Sequence, residues 1–314
     1  MTDKELLDIK SLVPDYLWMK ATQEQVFNTI DQYEMDILPA GQELVFELKN
    51  LMMEVENTWH ESVVGGIALL DGRTFANFKD PQVLKNRIAA VVSRQNQLRS
   101  QLILKTHEMQ VFSLAAFKDA LPALESKAVD KKSEAEKLAQ RLTDLEVKRT
   151  NVAEAIALFQ KPSVLNAFKG LIPKEEDVDL IIGTLKDPTV TPALLKAASK
   201  RLSESIDEFG KILEVSDLVD ARMALDGKIV SAKQDLASAK RAWQQAQDVF
   251  SANKAIWGLE STKNDWLAQA RKLEQEWQAQ ADALGSLSDP NAVTVALADL
   301  CNYLVAVRLS YESV

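Results

Sequence analysis

The sequence predicts an all-α protein: an elongated helical bundle with a long antiparallel coiled-coil hairpin and an interrupted amphipathic tip. Three observations predict it. Ten glycines in 314 residues is about 3%, under half the usual share, while Ala, Leu, Lys, Glu, Gln and Asp dominate. Two long stretches repeat apolar residues in a four-three rhythm with almost no helix breaker. Between them, residues 161–192 hold four of the nine prolines, Pro162, Pro173, Pro188 and Pro192. The expected division is residues 1–121 and 258–314 as head and tail helices. Residues 122–160 and 193–257 are the expected stalk, and 161–192 the tip.

In order, residues 1–22 predict a short helix and a loose lead-in through Pro14, Tyr16, Leu17 and Trp18, with Thr22 capping the next helix. Pro39 and Gly41 interrupt, and a second helix runs from about Gln42 to Leu70, with Leu44, Leu48, Leu51 and Val55 on one face. It ends in VVGGIALL, residues 63–70, before the Asp71-Gly72 turn signal. Eight apolar residues fall far short of the ~20 that span a bilayer. The Gly65-Gly66 pair predicts either close helix approach or simply the buried end of a bundle helix.

Asp80-Pro81 is a cap-plus-proline helix start. From it Leu84, Ile88, Val91, Gln95, Leu98, Leu102, Lys105, Met109, Phe112 and Ala116 keep the rhythm, and Pro122 predicts a kink or short break. The seam resumes through Leu124, Ala128, Lys131, Ala135, Leu138, Leu142, Leu145, Arg149, Val152, Ile156 and Phe159. It runs straight into the tip.

Thr191-Pro192 opens the return helix. Leu195, Leu202, Ile206, Phe209 and Leu213 carry its first seam, and Leu218, Leu225, Ile229, Ala232, Leu236, Ala239, Trp243, Ala246, Phe250 and Trp257 the second. As one helix, residues 193–257 would span roughly 95 Å. Gly258 predicts a bend, Trp266, Ala270, Leu273 and Trp277 continue the face, and Gly285 closes it. Asp289-Pro290 starts the last helix, whose stretch from Asn291 to Val307 carries Asp299 as its only charge. Apolar all round, it predicts the buried centre of a bundle rather than a membrane span.

Several function classes are excluded or disfavoured. A net charge of −9 argues against nucleic acid, which demands a basic stripe. Cys301 is the only cysteine, so no intrachain disulfide forms. The start, MTDKELLDIK, shows no cleavable secretory signal. No G-x-G-x-x-G, P-loop or H-E-x-x-H pattern occurs, and His60 and His107 lie on separate predicted helices without ligand spacing. Neither enzyme activity, nor a cofactor, nor a metal is expected. The tryptophans from Trp243 to Trp277 continue the apolar seam and predict core.

At the tip, Ser163 is the expected cap of a short helix with Val164, Leu165, Phe168, Leu171 and Ile172 on one face, ended by Gly170 and Pro173. An acidic run then precedes Leu180, Ile181 and Ile182. This is either a structural cap or a contact surface. Two slender helices cannot cover both apolar faces, so some of Phe168, Ile172, Ile181 and Ile182 are expected exposed or loosely buried. The candidate membrane- or partner-contacting residues are Phe159, Leu165, Phe168, Leu171, Ile172, Leu180, Ile181 and Ile182.

This layout resembles the α-helical pore-forming toxins of the cytolysin A class, and within them the smaller B component of the binary xenorhabdolysin type. The resemblance covers most of the chain and rests on layout: head-end helices, an apolar C-terminal helix and a long antiparallel pair ending in an interrupted foot. It implies a multi-component pore-forming cytolysin subunit, monomeric in solution and oligomeric in the pore. It implies an A-component partner, a target-cell membrane and release without a recognisable signal peptide. Single-component members carry a long apolar tongue, and no uncharged stretch here approaches one. The alternative is a non-toxic coiled-coil scaffold or adaptor with a structural helical cap.

Overall fold

The computed structural model describes residues 12–71, 80–174, 176–178, 189–206, 214–287 and 289–313. Within them the chain forms eight named helices: α1 Tyr16–Tyr33, α2 Pro39–Leu70, α3 Pro81–Val111, α4 Ala115–Phe159, α5 Pro162–Phe168, α6 Pro192–Ser205, α7 Val215–Gly285 and α8 Pro290–Glu312. No named strand occurs among the described residues; a single bridge pairs Leu171 with Glu214. The chain divides into two compact units, Met1–Leu124 with Asp248–Val314, and Glu125–Gln247.

The cap-plus-proline starts hold. Asp80 accepts from the N–H groups of Gln82 (2.8 Å) and Val83 (3.4 Å), Thr191 from Leu194 (3.3 Å) and Asp289 from Ala292 (2.9 Å). Each side-chain oxygen satisfies donors that the first helical turn leaves free, and the proline has no N–H to satisfy. Thr22 is not a cap. It is buried within α1, which begins earlier at Asp15, whose carboxylate accepts from the Trp18 N–H at 3.0 Å.

Three helix boundaries differ from expectation. Pro122 lies inside α4 without ending it, and the break falls instead at residues 112–114. Gly258, the expected bend, lies inside α7, which runs through it as one helix. The return helix is two helices, α6 and α7; Phe209 and Leu213 lie outside the described residues. Pro39 separates α1 from α2 as expected, but α2 starts at Pro39 itself, ahead of the expected Gln42.

In the first unit, one apolar cluster joins α1, α2, the α3–α4 corner and α7 through Val26, Leu48, Met109, Leu114, Ile256 and Trp266. A second joins α2, α3, α7 and α8 through Trp59, Leu102, Trp277, Leu297 and Leu304. Trp266 and Trp277 are buried, as the seam predicts, and their indole N–H groups are satisfied. Trp266 donates to the Met19 carbonyl (3.0 Å) and Trp277 to Gln95 (2.9 Å), whose amide donates on to the Gly66 carbonyl (3.3 Å). The aromatic ring of Tyr16 packs at 4.1 Å from Trp59 and 5.0 Å from Tyr311.

Helix α8 is half-buried rather than enclosed. Val293, Leu297, Leu300, Tyr303, Leu304 and Val307 face the core, while Val295 (60% exposed), Leu309 (59% exposed) and Asp299 face out. The reason is that α8 lies on the outside of the bundle, chiefly against α2, so only one face meets the core. Among the described residues it alone is long and apolar enough to cross a membrane.

Gly66 marks where α2 lets α7 and α8 in. A Cβ there would sit 2.8 Å from Leu304 Cδ1 and 3.1 Å from the Trp277 ring, whereas one at Gly65 would meet Leu98 at 3.3 Å. Gly66→Ala should therefore destabilise the first unit by about 1–3 kcal/mol through overpacking. Gly65→Ala should change stability by under about 1 kcal/mol, since its helix-propensity gain offsets mild crowding. Denaturant titration of the two variants distinguishes them.

Burial, then the nearby Glu56 and Tyr311, pushes the Tyr16 phenol far above its usual range; burial, then Glu276, raises Tyr303. The folded state thus keeps protons that the unfolded chain loses near pH 10. Stability from these groups is fully present below that pH and falls as pH rises above it. Tyr16→Phe should flatten the alkaline decline, read as Tm against pH from 9 to 12.

Candidate functional site

In the second unit α4 and α7 pack along the predicted seam. Every seam position from Ala128 to Phe159 and from Leu218 to Ala246 is buried or half-buried, while most positions between them are exposed. Along the middle the fully buried seam positions are mostly alanines, Ala128, Ala135, Ala232, Ala239 and Ala246, while Leu138, Leu142, Leu145 and Leu236 are only half-buried. Surface pairs flank it, with Arg149 to Asp226 at 2.9 Å and Lys233 to Glu146 at 3.1 Å. Such exposed pairs contribute about 0.2–1 kcal/mol each.

Toward the tip the seam widens into a cluster of larger side chains. Val152, Ile156 and Phe159 of α4 meet Val164 and Phe168 of α5, Leu195 and Leu202 of α6, and Val215, Leu218 and Leu225 of α7. Local chemistry shapes it. Pro162 ends α4 and opens α5 at its first position, with Lys161 as the cap residue. The expected cap Ser163 lies inside the helix instead, because Pro162 occupies the preceding position.

Helix α5 lasts seven residues and ends at Lys169 in the left-handed region (φ 52°), followed by Gly170 at φ 80°. The turn is closed by Gly170 N–H to Leu165 O (3.0 Å) and Leu171 N–H to Phe168 O (2.9 Å). The Val215 N–H then donates to Gly170 O at 3.2 Å, which ties the loop to the start of α7.

Three further ties close the tip. The buried Ser199 hydroxyl donates to the Pro173 carbonyl at 2.8 Å. Lys161 Nζ reaches the Thr189 hydroxyl at 2.9 Å. Asn151 of α4 donates to Ser205 of α6 at 3.1 Å.

The candidate residues therefore separate. Phe159 (1% exposed), Phe168 (7%) and Ile172 (9%) are buried, and Leu165 (40%) and Leu171 (52%) are exposed. Leu180, Ile181 and Ile182 lie outside the described residues. Phe168 and Ile172 are covered because α6 is a third wall, supplying Leu195 and Leu202 to the same cluster with Ser199 buried on the same helix; Ile181 and Ile182, the other residues of that expectation, lie outside the described residues. Val178 and Val190, both buried there, were not among the candidates. Val178 is the lone apolar residue in an acidic run, and that isolation is the signal it offered. No group of metal-ligating side chains occurs among the described residues.

No protein-family model matches the chain, and no curated protein matches it in sequence. Solved structures do match. The crystal structure of XaxB from Xenorhabdus nematophila superposes with a TM-score of 0.76 at 18% identity, over 93% of this chain and 98% of that one. The two share one fold. PaxB from Photorhabdus luminescens gives 0.78 at 19% identity, over 96% and 97%. A chain of the XaxAB pore complex from Xenorhabdus nematophila gives 0.66 at 17%, over 94% and 97%. The all-α expectation and the resemblance to xenorhabdolysin-type B components agree with these superpositions along nearly the whole chain.

The burial pattern at the tip sets a stability contrast. Phe168→Asp with Ile172→Asp places two unpaired charges in the cluster and should cost several kcal/mol, enough to melt the second unit early. Leu165→Asp with Leu171→Asp, at exposed positions, should cost about 1 kcal/mol or less. Thermal unfolding of the two double variants reads the difference.

Proposed function

We propose that this chain is the B-type subunit of a two-component α-pore-forming toxin. It acts by binding a partner subunit and by rearranging its tip at a target-cell membrane, with no catalytic step. The observation that carries the reading is the full-length fold shared with XaxB and PaxB, and with a chain of a complex described as a pore.

In this reading residues 161–192 are the moving part. Leu165 and Leu171 offer an apolar first contact, while Phe159, Phe168 and Ile172 are held in reserve inside the cluster. Opening the tip turns those side chains toward lipid or partner. Leu180, Ile181 and Ile182 are assigned to the same surface. The chain is monomeric before assembly and oligomeric in the pore, and it is released from the producing cell before reaching its target. The net charge of −9 disfavours unaided docking on anionic lipid, so the partner leads the approach.

The bridge between Leu171 and Glu214 gives the test. Cysteines at both positions, in a Cys301→Ser background, clamp the loop to the start of α7 when oxidised. With an A-type partner present, release of dye from liposomes should fall about tenfold or more on oxidation and return on reduction. Equal leakage in both redox states would sink the opening step. No leakage from the reduced chain with any A-type partner would favour the scaffold instead.

A further inference from the structure

The corner between α3 and α4 falls where the sequence has no breaker. Val111, Phe112, Ser113, Leu114 and Ala115 include neither glycine nor proline, and Met109, Phe112 and Ala116 keep the four-three spacing across it. Local preference alone would carry the helix through. Yet α3 stops at Val111, Phe112 is extended (φ −64°, ψ 134°) and α4 starts at Ala115.

The groups that hold the corner open come from α7. Lys263 Nζ donates to the Phe112 carbonyl at 2.5 Å and lies 5.7 Å from the centre of the Phe112 ring. A Glu260 carboxylate oxygen accepts from the Leu114 N–H at 2.8 Å, and its other oxygen pairs with Lys263 at 2.7 Å. Lys263 is 1% exposed. The Ser113 hydroxyl, accepting from Ala115 N–H at 3.1 Å, is a local cap on α4.

These partners have an alternative. In an unbroken helix the Phe112 carbonyl would accept from the N–H of Ala116, and the Leu114 N–H would donate to the Gln110 carbonyl. The same two backbone groups are thus satisfied either by the side chains of α7 or by the helix itself, and neither arrangement leaves them orphaned. Burial of Phe112, Leu114 and Phe117 adds weight to the bent form, and Phe117 covers Gly41 so closely that a Cβ there would lie 2.5 Å from the ring.

We infer that the α3–α4 corner is a two-state hinge. It is bent while Lys263 and Glu260 hold the freed backbone groups. It straightens into one helix from Pro81 to Phe159 when those contacts are released and another apolar surface takes up Phe112, Leu114 and Phe117. The inference concerns the chain's own conformations and stands apart from whether it forms a pore.

Spin labels at Gln101 and Asp119, both exposed, in a Cys301→Ser background measure the corner directly. A continuous helix separates these backbone positions by about 27 Å, and a bend shortens that distance. The unaltered chain should give the shorter distance. Lys263→Met with Glu260→Gln should raise the share of a narrow population near 27 Å by about tenfold. Adding Ser113→Pro should abolish that population, because proline demands the extended backbone Phe112 already has and forbids the straight form. Glu260→Gln alone keeps an acceptor for Leu114 and serves if the double variant does not fold. A folded variant with unchanged distances, or with only a broad distribution from local unfolding, overturns the hinge.

Discussion

The second unit depends on one constraint: two helices packed along a seam can bury only one stripe each. Alanine along the middle of α4 and α7 satisfies that constraint cheaply, since a small side chain needs little cover. The larger apolar residues gather where α5, α6 and the start of α7 supply extra walls. Cohesion is therefore uneven along the unit. The middle rests on thin apolar contact and weak surface pairs, and the tip rests on Phe159, Phe168, Leu195 and Leu202 packed together. A cluster of that kind is a clasp: while closed it is cooperative, and it comes apart as a whole.

Much of this was legible in the sequence, because the features concerned are set by nearest neighbours. Asp or Thr before proline favours a helix start through its own side chain and its neighbour's fixed backbone, so the starts at Asp80, Thr191 and Asp289 were readable. The seam from Leu124 to Phe159 was readable because burial follows its period. What was not readable depends on residues far away in the chain. Nothing near Phe112 says that Lys263, 151 positions on, will take its carbonyl. Nothing in Phe168 says that α6 will fold back over it. Pro122 shows the converse, a strong local signal overruled by its surroundings.

The same division explains the state of the functional reading. The fold is a property of the long periodic stretches and emerges at 18–19% identity to XaxB and PaxB. The candidate site is a property of a short, proline-rich segment whose burial pattern is set by tertiary contact. Sequence reasoning located that segment and listed its apolar side chains, but it could not sort exposed Leu165 and Leu171 from buried Phe168 and Ile172. That sorting decides which of these side chains are accessible in the folded chain and which are not.

Helix α8 carries a consequence for how the protein is made. It comes after every other described helix, yet Trp59 and Val63 of α2 belong to the cluster that it helps to close. At 5–20 residues per second on the ribosome, roughly 10–50 s separate the synthesis of Leu70 from that of Val307. Through that interval the face of α2 destined for α8 has no native cover. The nascent chain must therefore be kept from aggregating by holdase chaperones or by fast collapse of the helices already made, and the first unit can complete its core only once α8 has been synthesised.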